Sequence, residues 1–191
     1  MMSRYRELVQ QVLDENRRVL EAVSETELER LIAEIERAKT IQLFALGRMQ
    51  ASMRAFAMRL KHMGFDAYVV FDTTTPAIGP GDLLIVNCAA TQIDLTVIRL
   101  AKQAGARVCV LTAHPENEQG RLADLAVLVP GQIFGTPPEI SSIQPMASLL
   151  EQALFLLEDI IVMMLIERRG ISAQEMQARH TNLEGVMGTF A

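Results

Sequence analysis

Glu151 stands in the run SLLEQALFLL, among neighbours that almost all have nothing to titrate. On pattern alone it has two readings. It is either an acid on the exposed side of a helix or a partly buried carboxylate with a raised pKa, suited to moving a proton. His180, in ARHTNLE, belongs to a polar cluster near the carboxyl terminus that folding does not require, and an imidazole there can titrate near neutrality. A second place for chemistry is LLIVNCAATQID (83–94), an apolar run that enters a short polar turn before an amphipathic stretch. In an α/β protein that junction is the carboxyl end of a strand, where ligands bind. A turn that cradles phosphate normally carries glycines, because backbone amides must approach the anion closely. This turn has none. Cys88 closes the run and reads as a nucleophile or, with no histidine near it in sequence, as an inert core thiol. At an earlier junction, FALGRMQ, Gly47 suits a tight turn and Arg48 beside it can face an anion, although a lone glycine equally marks an ordinary turn.

Other reactive residue types are assigned to packing or to solvent. His62, His114 and His180 have no metal-ligand spacing, so neither a metal nor another cofactor is expected. His114 begins a turn with Pro115 and is expected to be exposed. Cys109, in mid-strand, is expected to pack. Phe56, Leu60 and Met63 share a helical face and belong to the core, whereas Arg54, Arg59 and Lys61 belong to a solvated face.

The elements that must hold these groups follow from hydrophobic period. Residues 3–39 read as two helices, the second opened by Ser24 with Glu27 three residues on as a capping box. From residue 41 short apolar runs at 41–45, 67–70, 83–86, 108–111 and 126–129 alternate with helical stretches near 50–63, 94–104 and 117–122. Continuous apolar strands separated by helices predict a parallel sheet covered on both faces. A non-periodic loop after residue 129 leads to Pro145, which suits the first turn of a helix running to about Arg169. That placement puts Glu151 in its second turn. Gly170 ends that helix, and Ser172 caps a short final one. The expected fold is a three-layer αβα sandwich with a five-stranded parallel sheet and an N-terminal helical hairpin. It forms one domain over 1–191, with helices at 1–39, a core at 40–169 and a tail at 170–191.

Composition bounds the partners. The chain has 191 residues, half of them hydrophobic, and a formal charge of −5 without a Lys/Arg cluster, which argues against a nucleic-acid surface. The greasiest stretch, 149–166, is broken by Glu151, Glu158 and Asp159, whereas a bilayer span needs about 20 largely uncharged residues. A buried or subunit-interface helix fits it better, and no membrane partner is expected. The first residues, MMSRYRELVQ, lack an apolar signal core, and two cysteines suit a reducing compartment. A cytoplasmic protein is expected.

Five collinear blocks carry a family resemblance: AFAMRLKHMGFDAYVV (55–70), DTTTPAI (72–78), GDLLI (81–85), IQPMASLLEQ (143–152) and RHTNLE (179–184). The chain resembles the 6-phospho-3-hexuloisomerases of the sugar-isomerase (SIS) domain superfamily, whose fold is flavodoxin-like. The resemblance implies interconversion of 3-hexulose 6-phosphate and fructose 6-phosphate through an enediolate. It implies Glu151 as base and His180 as an assisting acid or orienting group, with reach to a neighbouring subunit's site. Gly47, Arg48, Cys88, Thr91, Gln92, Gln144 and Asn182 then stand at substrate-binding positions, and the partner is a small sugar phosphate. It also implies a homodimer or homotetramer, in keeping with the apolar N-terminal hairpin and 145–169 helix.

The chain departs from the family at both phosphate loops. Relatives read Gly-x-Gly-Arg-Ser-Gly where this chain has Ala45-Leu46-Gly47-Arg48-Met49-Gln50, and Ser-Gly-Ser-Gly-Glu-Thr where it has Cys88-Ala89-Ala90-Thr91-Gln92-Ile93. Hydroxyl positions are thus filled by Met49, Cys88, Ala90 and Ile93. Each lost charge-assisted bond costs about 1.5–3 kcal/mol. Three activities stay open: an isomerase with a rearranged phosphate cradle, a non-catalytic metabolite sensor or regulator, and an isomerase or lyase whose ligand carries no phosphate.

Overall fold

In a computed structural model of the chain, which describes residues 3–183, five parallel strands run in the order β2-β1-β3-β4-β5. They are β1 (Ile41–Ala45), β2 (Ala67–Val69), β3 (Leu83–Cys88), β4 (Arg107–Thr112) and β5 (Leu125–Leu128). β1 and β3 are the inner pair, with Ile41 opposite Leu83 and Ala45 opposite Asn87. Both are buried along their whole length, which is why they read as unbroken apolar runs rather than alternating ones. The sandwich and its helical hairpin are those the sequence predicts.

One face of the sheet carries α1 (Arg4–Glu21), α2 (Glu25–Arg37), α3 (Met49–His62) and α6 (Ser148–Arg169); the other carries α4 (Gln92–Gln103) and α5 (Glu118–Leu122). Phe56 and Leu60 of α3 and Met63, its C-cap, are buried with Leu154, Leu157 and Ile161 of α6, as the helical face at 56–63 requires. A smaller core, with Phe44, Val86, Val108 and Ile98, lies beneath α4. The β2–β3 connection carries no helix. Its loop is held by the Gln42 amide donating to the Pro76 carbonyl at 2.8 Å and the Thr75 hydroxyl to that of Val69 at 2.6 Å.

Three local expectations need correction. Ser24 does accept from the Glu27 amide, but Glu27 does not reciprocate; its carboxylate accepts from the Leu128 amide on edge strand β5. An exposed ladder amide is the stronger claim on that carboxylate. The helix expected from Pro145 begins at Ser148, because Met146 sits at φ 56°, outside the helical region. Glu151 therefore lies in the first turn of α6, not the second. The final helix, α7 (Ala173–Ala178), has the full capping box between Ser172 and Glu175.

Candidate functional site

Every βα junction of a parallel sheet opens on the same edge, so the turns after β1 and β3 converge there with the start of α6. Gly47 makes the first turn at φ 59°, with nothing within 4 Å of where a Cβ would stand. The glycine is required there by backbone geometry, not by crowding. The turn delivers Arg48, at the N-cap of α3, to the first turn of α6. Its Nη1 lies 2.8 Å from Glu151 Oε2 and donates to Ser148 Oγ at 3.1 Å. Glu151 is mostly buried, whereas Arg48 keeps two-thirds of its side chain in solvent. The pair stands in a cleft of 490 Å³ between α1, α3 and α6, with Ser52, Asn16 and Gln152 as polar lining and Leu13, Phe155 and Leu156 as apolar lining.

Gln144 reaches the same region through a chain of amides. Its Nε2 donates to Glu15 at 3.1 Å and its Oε1 accepts from Gln152 at 2.7 Å, while Gln152 accepts from Asn16 at 2.9 Å. Glu15 also accepts from the Ser142 hydroxyl at 2.6 Å and the Ile143 amide at 2.8 Å. Burial alone would raise the Glu15 pKa, but these donors and Arg18 hold it below the ordinary value. Residues 142–144 are thereby pinned to α1 directly upstream of Glu151.

The 88–93 turn satisfies itself. Cys88 is fully buried; its sulfur accepts from the Ala90 amide at 3.2 Å and lies 3.6 Å from Asp94 Oδ2. Burial, reinforced by the Asp94 charge, pushes the thiol up to about 12, so it is not a thiolate nucleophile at neutral pH. Cys109 is buried as expected. Thr91 and Asp94 form a reciprocal capping box: the Thr91 amide donates to Asp94 at 2.8 Å and the Asp94 amide to Thr91 Oγ1 at 3.1 Å. A carboxylate thus already occupies the positive end of α4. Gln92 is exposed there, and the amides of Gln92 and Ile93 make no hydrogen bond with any described residue. Ala90, at φ 63°, holds a conformation that a glycine would adopt without strain.

His180 stands elsewhere. Its ring centroid is 4.9 Å from that of His62, and the neighbouring Arg179 donates to the His62 carbonyl at 3.3 Å. His62 ends α3 and Arg48 precedes it, so the 14-residue helix, about 20 Å long, separates His180 from Glu151 within one chain. Asn182, two residues on, is exposed at the same far end. The geometry unites Arg48, Glu151 and Gln144, sets the 88–93 turn on the same sheet edge, and leaves His180 and Asn182 apart.

Several groups escape the sequence reading. Glu158, seven residues after Glu151 and so on the same helix face, is 3 % exposed. It accepts from Asn87 Nδ2 at 2.5 Å and lies 3.3 Å from the hydroxyl of Ser52. Burial pushes it up to about 8, against the opposing pull of Asn87 and Ser52, so it is mainly a neutral acid at pH 7. The sequence signals are an asparagine inside an apolar strand and a second acid in an apolar helix. His114, expected to be exposed, is buried between Glu116 at 2.9 Å and Glu139 at 2.7 Å. Glu139 also accepts from the amides of Phe134 and Gly135. Burial would lower the imidazole's pKa, but the two carboxylates raise it above 6.5 overall. A residue 25 positions downstream supplies the partner, which no local turn signal encodes. Among the described residues no helix is long and apolar enough to cross a membrane, and no group of three or more His, Cys, Asp or Glu side chains is arranged to hold a metal.

Comparison with known proteins follows the same outline. The SIS domain family model matches residues 34–163. A 3-hexulose-6-phosphate isomerase of Bacillus subtilis (strain 168) is 34% identical over 185 residues, covering 93% of this chain and 98% of that protein. One of Methanocaldococcus jannaschii is 32% identical over 160 residues, covering 82% and 83%. A crystal structure of a hypothetical Methanococcus jannaschii protein, described as inferring 3-hexulose-6-phosphate isomerase function, superposes with a TM-score of 0.81 at 29% identity, over 93% of this chain and 99% of that one.

Proposed function

The chain belongs to the SIS domain family, among its 6-phospho-3-hexuloisomerase-like members, and from this premise we propose that it is a sugar-phosphate isomerase interconverting 3-hexulose 6-phosphate and fructose 6-phosphate. The observation that carries the reading is the Arg48–Glu151 pair at the mouth of the 490 Å³ cleft. The reaction takes the proton from C2 of the 3-ketose, forms an enediolate across C2 and C3, and returns a proton to C3 while the hydroxyl proton moves from O2 to O3. Glu151 is the group that takes and returns the carbon-bound proton. Arg48 is exposed enough to leave Glu151 for an arriving anion and to stabilise the enediolate oxygen or the phosphate. The free amides of Gln92 and Ile93 supply donors to the phosphate, with Gly47 and Thr91 shaping the two turns and Gln144 fixing the segment ahead of α6. His180, with Asn182 beside it, serves the site of a neighbouring copy in this reading, since its own Glu151 is a helix length away.

A second reading has one observation in its favour. Asp94 places a negative charge where a phosphate would meet α4, which favours a weakly bound phosphate or a ligand without one. Incubating the purified protein with 3-hexulose 6-phosphate and following fructose 6-phosphate separates the two. Turnover that Glu151→Gln abolishes is the expected result. Absence of turnover, with a thermal shift from sugar phosphates, would favour a sensor; absence of both would remove the sugar phosphate from consideration.

A further inference from the structure

A second cleft, of 600 Å³, opens at the opposite edge of the sheet, where β3 and β4 begin. Arg30, Glu34 and Arg37 of α2, the Gly81–Asp82 turn and Arg107 at the head of β4 line it. Lys39 crosses the same turn, its Cε 2.8 Å from where a Gly81 side chain would begin. The buried carboxylate of Glu34 accepts from Arg107 Nε and Nη2, both at 2.6 Å, and also pairs with Arg37. One negative charge is therefore shared by two guanidiniums whose positions it fixes. Asp124 is likewise shared between Lys102 at 2.8 Å and Arg107 at 3.7 Å. The side chains of Arg30 and Lys39 form no hydrogen bond or ion pair with any described residue, although the Lys39 amide donates to the Gly81 carbonyl at 2.9 Å. Within the lining, Arg30, Arg37 and Arg107 stand with Glu34 and Asp82, and Lys39 lies against the lining Gly81, a local excess of positive charge on a chain whose net charge is −5.

We propose that this cleft binds a small polyanion of the phosphate class, at a site separate from the Arg48–Glu151 pair. Its volume is that of a small-molecule site, and guanidiniums held in place by a buried carboxylate present their forks to phosphate oxygens without first being ordered. More than one phosphate is indicated because the cations stand on different walls, Arg30 on α2 and Arg107 on the sheet edge. A six-residue strand such as β3 spans about 20 Å, so a ligand this size does not touch both edges. The proposal is independent of which substrate the other cleft takes.

Inorganic pyrophosphate is the probe, with sodium chloride at matched ionic strength as the control for screening. Wild type, Arg48→Gln and the double variant Arg30→Gln/Lys39→Gln are compared by thermal unfolding and titration calorimetry. At ten times its Kd pyrophosphate is expected to raise the Tm of wild type and of Arg48→Gln by about 3–5 °C. In the double variant binding is expected to weaken at least ten-fold. Arg30 and Lys39 are exposed, so this variant is expected to fold, and its unliganded Tm checks that; Lys39→Gln alone, expected to weaken binding several-fold, is the second variant. No rise beyond the salt control overturns the proposal, as does a rise that persists in both Lys39 variants or disappears in Arg48→Gln.

Discussion

Glu151 and Glu158 lie seven residues apart on α6 and meet opposite surroundings. Glu151 has an arginine at 2.8 Å and an open cleft beside it, the setting in which the proposed reaction has it meet a ligand. Glu158 has only a serine and an asparagine, and stays neutral until about pH 8. Glu151→Gln is therefore expected to lower kcat by about 10²–10⁴-fold and to leave Tm nearly unchanged, as paired steady-state kinetics and thermal unfolding will show. Glu158→Gln belongs to stability. Its folded pKa is raised from 4.5, so the folded chain keeps a proton that the unfolded chain has lost. Wild-type stability therefore falls as pH rises through that interval, by up to about 1.4 kcal/mol per pH unit from this group. Glutamine can make the same contacts without a charge. The Tm difference between variant and wild type should widen from pH 5 to pH 8, and a constant difference would count against the assignment.

At the scale of elements, the proposed reading brings the phosphate to the start of α4. The Thr91–Asp94 box satisfies two backbone amides with side-chain acceptors and sets a carboxylate beside the free Gln92 and Ile93 amides. Asp94→Asn keeps an acceptor for the Thr91 amide and removes the charge. It is expected to tighten inorganic phosphate, measured as a competitive inhibitor, by about 2–5-fold, from the 0.3–1 kcal/mol of a charge at a helix terminus. Across the same sheet edge, His114 fastens the 131–140 segment through Glu139 to the end of β4. Its folded pKa is raised, so the stabilisation is complete below the unfolded value of 6.5 and is lost as pH rises through the folded value. Limited proteolysis near the exposed Phe134 should accelerate over that rise, and in His114→Gln it should be fast already at pH 6.

On the whole molecule, the outer faces of α1 and α6 leave Leu13, Phe155, Ile160 and Met163 exposed, while His180 sits a helix length from its own Glu151. Both features are accounted for if copies of the chain pack through these helices and exchange tails. Light scattering at micromolar concentration is expected to give a dimer or tetramer, and Phe155→Glu/Met163→Glu a monomer. Co-refolding Glu151→Gln with His180→Gln, each inactive alone, should restore part of the activity, because a mixed assembly contains a site with both native residues. No restoration would confine His180 to a structural role.

Period and composition in the sequence determined the sandwich. Unbroken apolar runs can be buried only inside a covered parallel sheet, and α3 and α6 show their apolar faces at helical spacing. Pattern marked Glu151 and Arg48 only as candidates, each with an ordinary reading beside it, and the resemblance to the family is what assigned them a base and a substrate-binding position. The start of α6 was not legible, since Met146 takes a left-handed φ of 56° that no residue pattern announces, just after a segment that hangs on Glu15, over a hundred positions away in sequence. Nor was the fate of His114 and Glu158, whose partners are set by burial and by neighbours on other elements, whereas the inert reading of Cys88 holds. Sequence carries the period that places a side chain on an inward or outward face. Only the packed structure brings charges distant in the chain within hydrogen-bonding range, and that proximity decided which titratable groups stay charged, which stay neutral, and that Arg48 and Glu151 meet at one cleft.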